Sequence, residues 1–475
     1  MAKNNLEIGL AFNDVLIVPK YSAISSRRSI DLQTRFSRRI KINIPIVSAN
    51  MDTVTESEMA IDLARRGGVG VIHRFMTTED QAREVRRVKR VENLFIPDPV
   101  TISPSATLGE ALTVMKENQV SGILVIDQKG ILQGIVTARD VRFCQKIDIK
   151  ITKIMTPRSK LITARPSIKP QQAITIFNQH KIEKLPLVDQ KGILRGLITA
   201  ADFIKMNRYQ NAVKDKRGRL IVAAAIGVKN GLERAEKLVK AGADALVIDI
   251  AHGHHQSCLR LIKQLKREYH LVDIVAGNVA TGPGTEDLIA AGADAVKIGI
   301  GPGAVCSTRI VAGAGVPQIT AILQAAQAAR RYRIPIIADG GIRMAGDLAK
   351  AMAAGASTVM IGSLFAGTKE SPGEYFIENG AAFKVYRGLA SRDASFDRNS
   401  LENDQARLDR EPEGISTRVV YKGEVGKVLN TLIDGLQSGM SYSGAKNIKE
   451  FWQKAELIRI TGAAREEGLP RTLNT

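Results

Sequence analysis

The sequence predicts an α/β protein, a (βα)8 TIM barrel carrying an inserted tandem module. Three observations predict it. Eight short apolar segments recur along the chain, amphipathic stretches of helical period separate them, and the series is broken once by two halves that resemble each other. Strands apolar on both faces are what a parallel sheet covered by helices requires. A doubly wound sheet would carry GxGxxG after an early strand, and none is present.

In chain order the strand segments are IPIVSANM (44–51), VGVIHR (69–74), LIVAAAIG (220–227), ALVIDIAHG (245–253), DIVAGNVAT (273–281), AVKIGIGPG (295–303), IPIIADGG (334–341) and TVMIGS (358–363). Helices are expected at Gly231–Lys240, Gly284–Ala291, Ala321–Arg331 and Ala345–Ala354. Three of the strands follow a helix through a glycine turn, in KAGADALVIDI, AAGADAVKIGI and AAGASTVMIGS. That is the helix–Gly–strand half of a βα unit. The barrel is assigned to 1–94 and 207–475, and the insert to 95–206, with halves at 95–150 and 151–206. Each half reads strand, helix and hairpin, with DQKGIL supplying the turn.

The 475 residues suit about three domains at roughly 150 residues each, or equally two units where a barrel takes about 250. Hydrophobic residues at 44% and charged residues at 24% exclude a disordered chain, collagen and a coiled-coil rod. The net charge of +20 invites nucleic acid. Its densest basic stretches, Arg83–Arg90 and Lys214–Arg219, are short and lie in no recognition motif, so a basic surface suited to anionic metabolites is preferred. Cys144, Cys258 and Cys306 are far apart and form no CxxC, which points to a reducing compartment. The first residues lack a signal-peptide pattern, no run of about 18 apolar residues exists, and a cytoplasmic location is expected.

The two inserted halves resemble a pair of CBS domains. In that family a Thr-x-x-Asp after the last strand grips a nucleotide ribose. Here it matches Thr137 to Asp140 and Thr199 to Asp202. The resemblance implies an adenine or guanine nucleotide as regulatory ligand. The competing role is structural: each Asp caps the helix that follows.

At the barrel mouth, phosphate is expected after strands seven and eight. Those loops read Asp339-Gly340-Gly341 and Gly362-Ser363, where glycine lets backbone N–H groups approach an anion. A phosphorylated small molecule is the expected ligand. After strand six, GIGPGAVCSTRIVAGAGVPQ (299–318) folds sharply around Cys306, with Arg309 close in sequence. A thiol in such a setting suits a thiolate nucleophile. Cys144 and Cys258 are expected to be buried.

LAFNDVLIVPKYS, SANMDTVTESEMA, GIGPGAVCSTR, IADGGIR, GSLFAGT and EGISTRVVYKG stand in order and spacing that resemble the IMP dehydrogenase/GMP reductase family. The resemblance implies that Cys306 attacks purine C2 to form a thioimidate, while hydride passes between that carbon and a nicotinamide. It makes Thr308 and Glu413 the groups that handle water or ammonia. It places Ser48, Asn50 and Met51 at the base, Asp339 on the ribose hydroxyls, and Gly341, Gly362, Ser363, Tyr386 and Gly388 around the substrate and its phosphate. Asp249 and Asn278 fall to the cofactor, NADP(H) or NAD. The carbonyls of Gly301, Gly303 and Cys306 would hold a monovalent cation, K+. Homotetramers that pair into octamers are implied as well.

Direction is read from the flap, 388–417. Family dehydrogenases carry an Arg–Tyr pair there, with Arg as base toward water. Here Arg398 precedes Asn399, and Arg407 and Arg410 have no Tyr beside them. Without that base the thioimidate serves ammonia chemistry, so GMP reduction by NADPH is preferred over IMP oxidation. Asn50 also resembles the reductases, whereas Ala304 departs from the Ser of both groups, and YRG, VVYKGEVGKVL and the tail resemble the dehydrogenases. A nucleotide-sensing protein with little catalysis and a flavin barrel are the rivals from other classes. His252, His254 and His255 cluster without Cys or carboxylate partners at ligand spacing and are read as loop hydrogen bonders rather than a zinc site.

Overall fold

The computed structural model describes residues 6–91, 96, 98–142, 144, 146–201, 209–394 and 411–469. The chain divides into two compact units, Met1–Lys89 with Asn211–Asp215 and Leu220–Thr475, and Arg90–Gln210 with Lys216–Arg219.

The larger unit is a closed barrel of eight parallel strands. These are β1 (Ile46–Ser48), β2 (Val69–Ile72), β3 (Ala223–Ile226), β4 (Ala245–Asp249), β5 (Asp273–Val279), β6 (Ala295–Ile298), β7 (Ile336–Asp339) and β8 (Thr358–Ile361). Each lies inside one of the eight apolar segments. The barrel closes where Ile361 pairs with Ser48 and continues across the insertion where Ala223 pairs with Val71. The strands are buried almost throughout, because each is covered inside by barrel side chains and outside by helices.

Those helices are α1 (Ser57–Arg65), α2 (Thr78–Arg90), α3 (Gly231–Ala241), α4 (Gln256–Glu268), α5 (Gly282–Ala290), α6 (Gln318–Arg330), α7 (Ala345–Ala353) and α8 (Val425–Tyr442). The glycines of the three helix–Gly–strand repeats, Gly242, Gly292 and Gly355, sit at φ +102°, +111° and +110°. That is the left-handed turn a helix uses to stop, which a side chain would strain. α8 lies against α7, where Gly435 leaves no room for a Cβ against Ala345. Between β8 and α8 the chain builds an antiparallel sheet of Tyr375–Glu378, Ala381–Arg387 and Ser416–Val420. This sheet was not foreseen from the sequence.

The smaller unit repeats one design twice. A helix, Leu108–Glu117, precedes the hairpin Gly122–Ile126 and Leu132–Thr137; a second, Pro170–His180, precedes the hairpin Lys184–Val188 and Leu194–Thr199. The two DQKG turns are superimposable in their bonding. Asp127 accepts from the N–H groups of Lys129 and Ile131 at 2.9 and 3.0 Å, and Asp189 from those of Lys191 and Ile193 at the same distances. The turns also bond reciprocally, Leu132 N–H to Gly192 O and Leu194 N–H to Gly130 O. Each half has its own apolar core, and Leu124, Leu132, Ile135, Val188 and Leu197 join the two.

Candidate active site

The carboxyl ends of the strands deliver the reactive side chains. Asp249 ends β4, Asn278 lies near the end of β5, Asp339 ends β7, and the loop after β6 carries Cys306. They meet around a cavity of about 280 Å³ that is also walled by Asn50, Met51, Lys297, Thr308, Tyr386, Gly388 and Glu413. A second cavity of about 240 Å³ shares Pro302 with the first and is lined by Ala304, Arg309, Gln318, Gly341, Arg343 and Ser363.

Cys306 is exposed, and its Sγ lies 3.2 Å from Thr308 Oγ1, so a proton can pass between thiol and hydroxyl. Its loop is tied down from the far side of the flap. Ser307 N–H donates to Glu413 O at 3.0 Å, Ile415 N–H to Val305 O at 3.0 Å, and Cys306 bridges Gly414. Gly388 N–H in turn donates to Ile415 O at 3.0 Å. Thus Glu413 reaches the cavity because its neighbours pair with the Cys306 loop.

Three residues share one buried charge network. Lys297 Nζ lies 2.6 Å from Asp339 Oδ2 and 3.6 Å from Asp249 Oδ1. Burial alone would pull the Lys297 ammonium down, but Asp339 and Asp249 outweigh it and hold the group above its ordinary value. Asn278 Nδ2 donates to the same Asp339 oxygen at 3.0 Å and to Gly299 O at 2.7 Å. Its Oδ1 is buried with no partner among the described residues.

Tyr386 stands on the antiparallel strand Ala381–Arg387, with its hydroxyl 3.8 Å from Met51 Sδ. A Cβ on Gly362 would meet Tyr386 Oη at 3.1 Å and Met51 Sδ at 3.2 Å, so glycine is what lets the three close up. Burial, reinforced by the charges of Asp339 and a Cys306 thiolate, pushes the phenol well up, so it stays a donor. Arg387 on the same strand pairs with Asp52 at 2.6 Å, linking YRG to the Met-Asp-Thr turn.

Not every expected residue reaches the main cavity. Ser48 is fully buried, accepts from Thr55 Oγ1 at 2.8 Å and does not line it. Gly341 and Ser363 line the second cavity instead. Gly301 and Gly303 line the first, with Gly303 O accepting from Cys306 N–H at 3.1 Å. Cys258 is buried, which raises its thiol to about 11, but Cys144 is only half-buried, contrary to expectation. His254 Nε2 and Asp287 Oδ2 are 2.7 Å apart, and His255 caps α4 by accepting from Ser257 N–H. Asp140 Oδ2 accepts from both N–H and Oγ1 of Thr137, the capping arrangement. Asp202, Arg398, Arg407 and Arg410 lie outside the described residues.

The IMP dehydrogenase / GMP reductase domain matches residues 9–471. The chain belongs to the IMP dehydrogenase/GMP reductase family. It is 50% identical over 470 residues, 98% of this chain and 96% of the relative, to a protein of Aquifex aeolicus named inosine-5'-monophosphate dehydrogenase. It is 48% identical, over 97% of this chain and 98% of the other, to one of the same name from Nitrosopumilus maritimus. Among solved structures it resembles a GMP reductase variant of Trypanosoma brucei in complex with guanosine 5'-monophosphate, at 41% identity and TM-score 0.93 over 99% of both chains. An oxidoreductase acting on purine nucleotides with a nicotinamide follows from the family.

Three wall residues of this family barrel were missed from the sequence. Arg74 and Phe75 follow β2 after His73 and line the cavity. Their signal was position alone, in the loop that leaves the carboxyl end of a barrel strand. Lys297 had a sharper signal, a lone charge inside the apolar run AVKIGI, since a lysine enters a barrel core only with a partner.

Proposed function

We propose that the chain is a GMP reductase, converting GMP and NADPH to IMP, ammonia and NADP+. The observation that carries this reading is the flap sequence, which lacks the Arg–Tyr pair, beside a nucleophile that has Thr308 at 3.2 Å and Glu413 in the same cavity. The Cys306 thiolate attacks C2 of the purine, and the 2-amino group leaves as ammonia. Thr308 and Glu413 relay the protons that the leaving amine takes up. A nicotinamide held beside Asp249 and Asn278 would supply hydride to C2, and breakage of the C2–Sγ bond would then release IMP and restore the Cys306 thiolate. The residues fit such a cofactor: Asp249 offers a carboxylate to its ribose, and the unpartnered Asn278 Oδ1 offers an acceptor to a carboxamide N–H. Asp339 would take the substrate ribose, with Tyr386 and the N–H groups of Gly341, Gly362 and Ser363 on the phosphate. The carbonyls of Gly301, Gly303 and Cys306 are hard donors suited to K+.

IMP dehydrogenase is the second reading, favoured by the names of relatives 45–50% identical to this chain. The smaller unit is proposed as a CBS pair that binds a purine nucleotide. That a T. brucei GMP reductase has been solved with guanosine 5'-triphosphate supports including GTP in the assay.

Absorbance at 340 nm in potassium buffer separates the readings. A fall with GMP and NADPH, and no rise with IMP and NAD, supports the reductase. A rise only in the second cuvette overturns it and turns attention to the flap arginines.

A further inference from the structure

We propose that Lys297 is a positioning residue that couples the two ligand halves of the cavity, holding Asp339 and Asp249 on one buried ammonium. The inference rests on the reading that Asp339 receives the purine nucleotide and Asp249 the nicotinamide side.

The barrel register explains how one lysine reaches both. Asp249 on β4 is level with Gly277 on β5, and Gly277 is level with Lys297 on β6. A Cβ at Gly277 would lie 2.6 Å from Lys297 Cβ, so the glycine keeps the path across β5 clear. On its other side Lys297 is level with Ile337 of β7, two residues before Asp339. Its side chain is 3% exposed, so water screens little of the attraction. The two distances are unequal, 2.6 Å to Asp339 and 3.6 Å to Asp249. Asp339 holds the ammonium by hydrogen bond and Asp249 competes for it through charge.

Two carboxylates and one cation leave a single net negative charge in the wall. Remove the cation and two part-buried carboxylates lose the charge they share, each next to a different ligand. The geometry of Asp339 then depends on the charge state of Asp249, although on this reading Asp249 touches only the nicotinamide side. Sequence position or burial alone would not produce that dependence.

The test is a double-mutant cycle on the full chain, read by calorimetric binding of GMP and of IMP without cofactor. Lys297→Met is expected to weaken nucleotide binding at least about tenfold. Lys297→Arg should restore it to within about threefold, because the charge is kept. Lys297→Met with Asp249→Asn should recover at least about threefold of the loss, since the second change removes the unneutralised neighbour. If the Met variant does not fold, Lys297→Gln carries the same cycle. Wild-type affinity in the Met variant, or additive effects of the two changes, overturns the coupling. Wild-type protein that binds neither GMP nor IMP instead overturns the functional reading beneath it.

Discussion

Cys306 suits the proposed nucleophilic role because its loop presents a thiol at the surface while placing Thr308 beside it. Replacing Cys306 by Ala should abolish turnover and leave GMP binding measurable by calorimetry. Thr308→Val should lower kcat by roughly 10²- to 10⁴-fold, the range for a lost proton-transfer partner, with little change in GMP affinity. Tyr386→Phe should act on binding instead. A lost hydrogen bond to a charged group is worth about 1.5–3 kcal/mol, so KM for the nucleotide should rise about ten- to hundredfold. The cysteines separate by burial, Cys258 inside and Cys306 exposed. Cys258 keeps its proton to about pH 11 because it is buried. A folded pKa above the ordinary 9.0 means that between pH 9 and 11 the folded chain retains a proton the unfolded one releases, so this group's contribution to stability falls as pH rises through that window. Iodoacetamide at pH 8 should therefore modify Cys306 well before Cys258, as peptide mapping would read.

Among elements, the glycines that stop α3, α5 and α7 were legible because a helix period ending in Gly before an apolar run has few other meanings. The eight strands were legible for the same reason: their length and composition suit only a doubly covered sheet. The antiparallel sheet Tyr375–Val420 was not. Its outer strands are mostly exposed and its middle strand buries Lys384 and Tyr386 rather than aliphatic residues, so no apolar run marks them. The site divided along the same line. Cys306, Asp249 and Asp339 end barrel strands or follow them, and position gave them away. Arg74 and Phe75 shared that position without a motif. Ser48 belonged to a motif, but its hydroxyl is used within the fold by Thr55. Packing between elements also makes a prediction. Gly435→Val would drive a side chain of α8 into Ala345 of α7. Overpacking of this kind costs about 1–3 kcal/mol, visible as a lower urea midpoint.

Across the whole molecule, the barrel's hydrogen bonding runs without a break from β2 to β3, although about 150 residues separate them in sequence. The strand pairing itself uses none of the smaller unit's residues. A chain in which a short Gly/Ser linker replaces 95–206 should keep its basal rate within about twofold in the 340 nm assay, and should lose any response to GTP. A twofold or smaller loss fits a barrel that assembles on its own terms. Collapse of expression would mean that the insert is needed to form it. The repeated DQKG turns argue that the insert is equally self-consistent. Each turn is satisfied internally, by its own Asp and by the carbonyl of the other.

The pairing between the Cys306 loop and residues 412–415 has a consequence for how this family diversifies. Glu413–Ile415 are locked to the Cys306 loop, and Gly388, on the other side of the intervening stretch, is locked to Ile415. Descent can therefore rewrite 395–410 by substitution, insertion or deletion while its two ends stay fastened in place. On the proposed function, the half-reaction that builds the thioimidate is insulated from such drift, and the half-reaction that consumes it is exposed. One ancestral nucleophile can thus be inherited unchanged while lineages trade water for ammonia by editing a single loop.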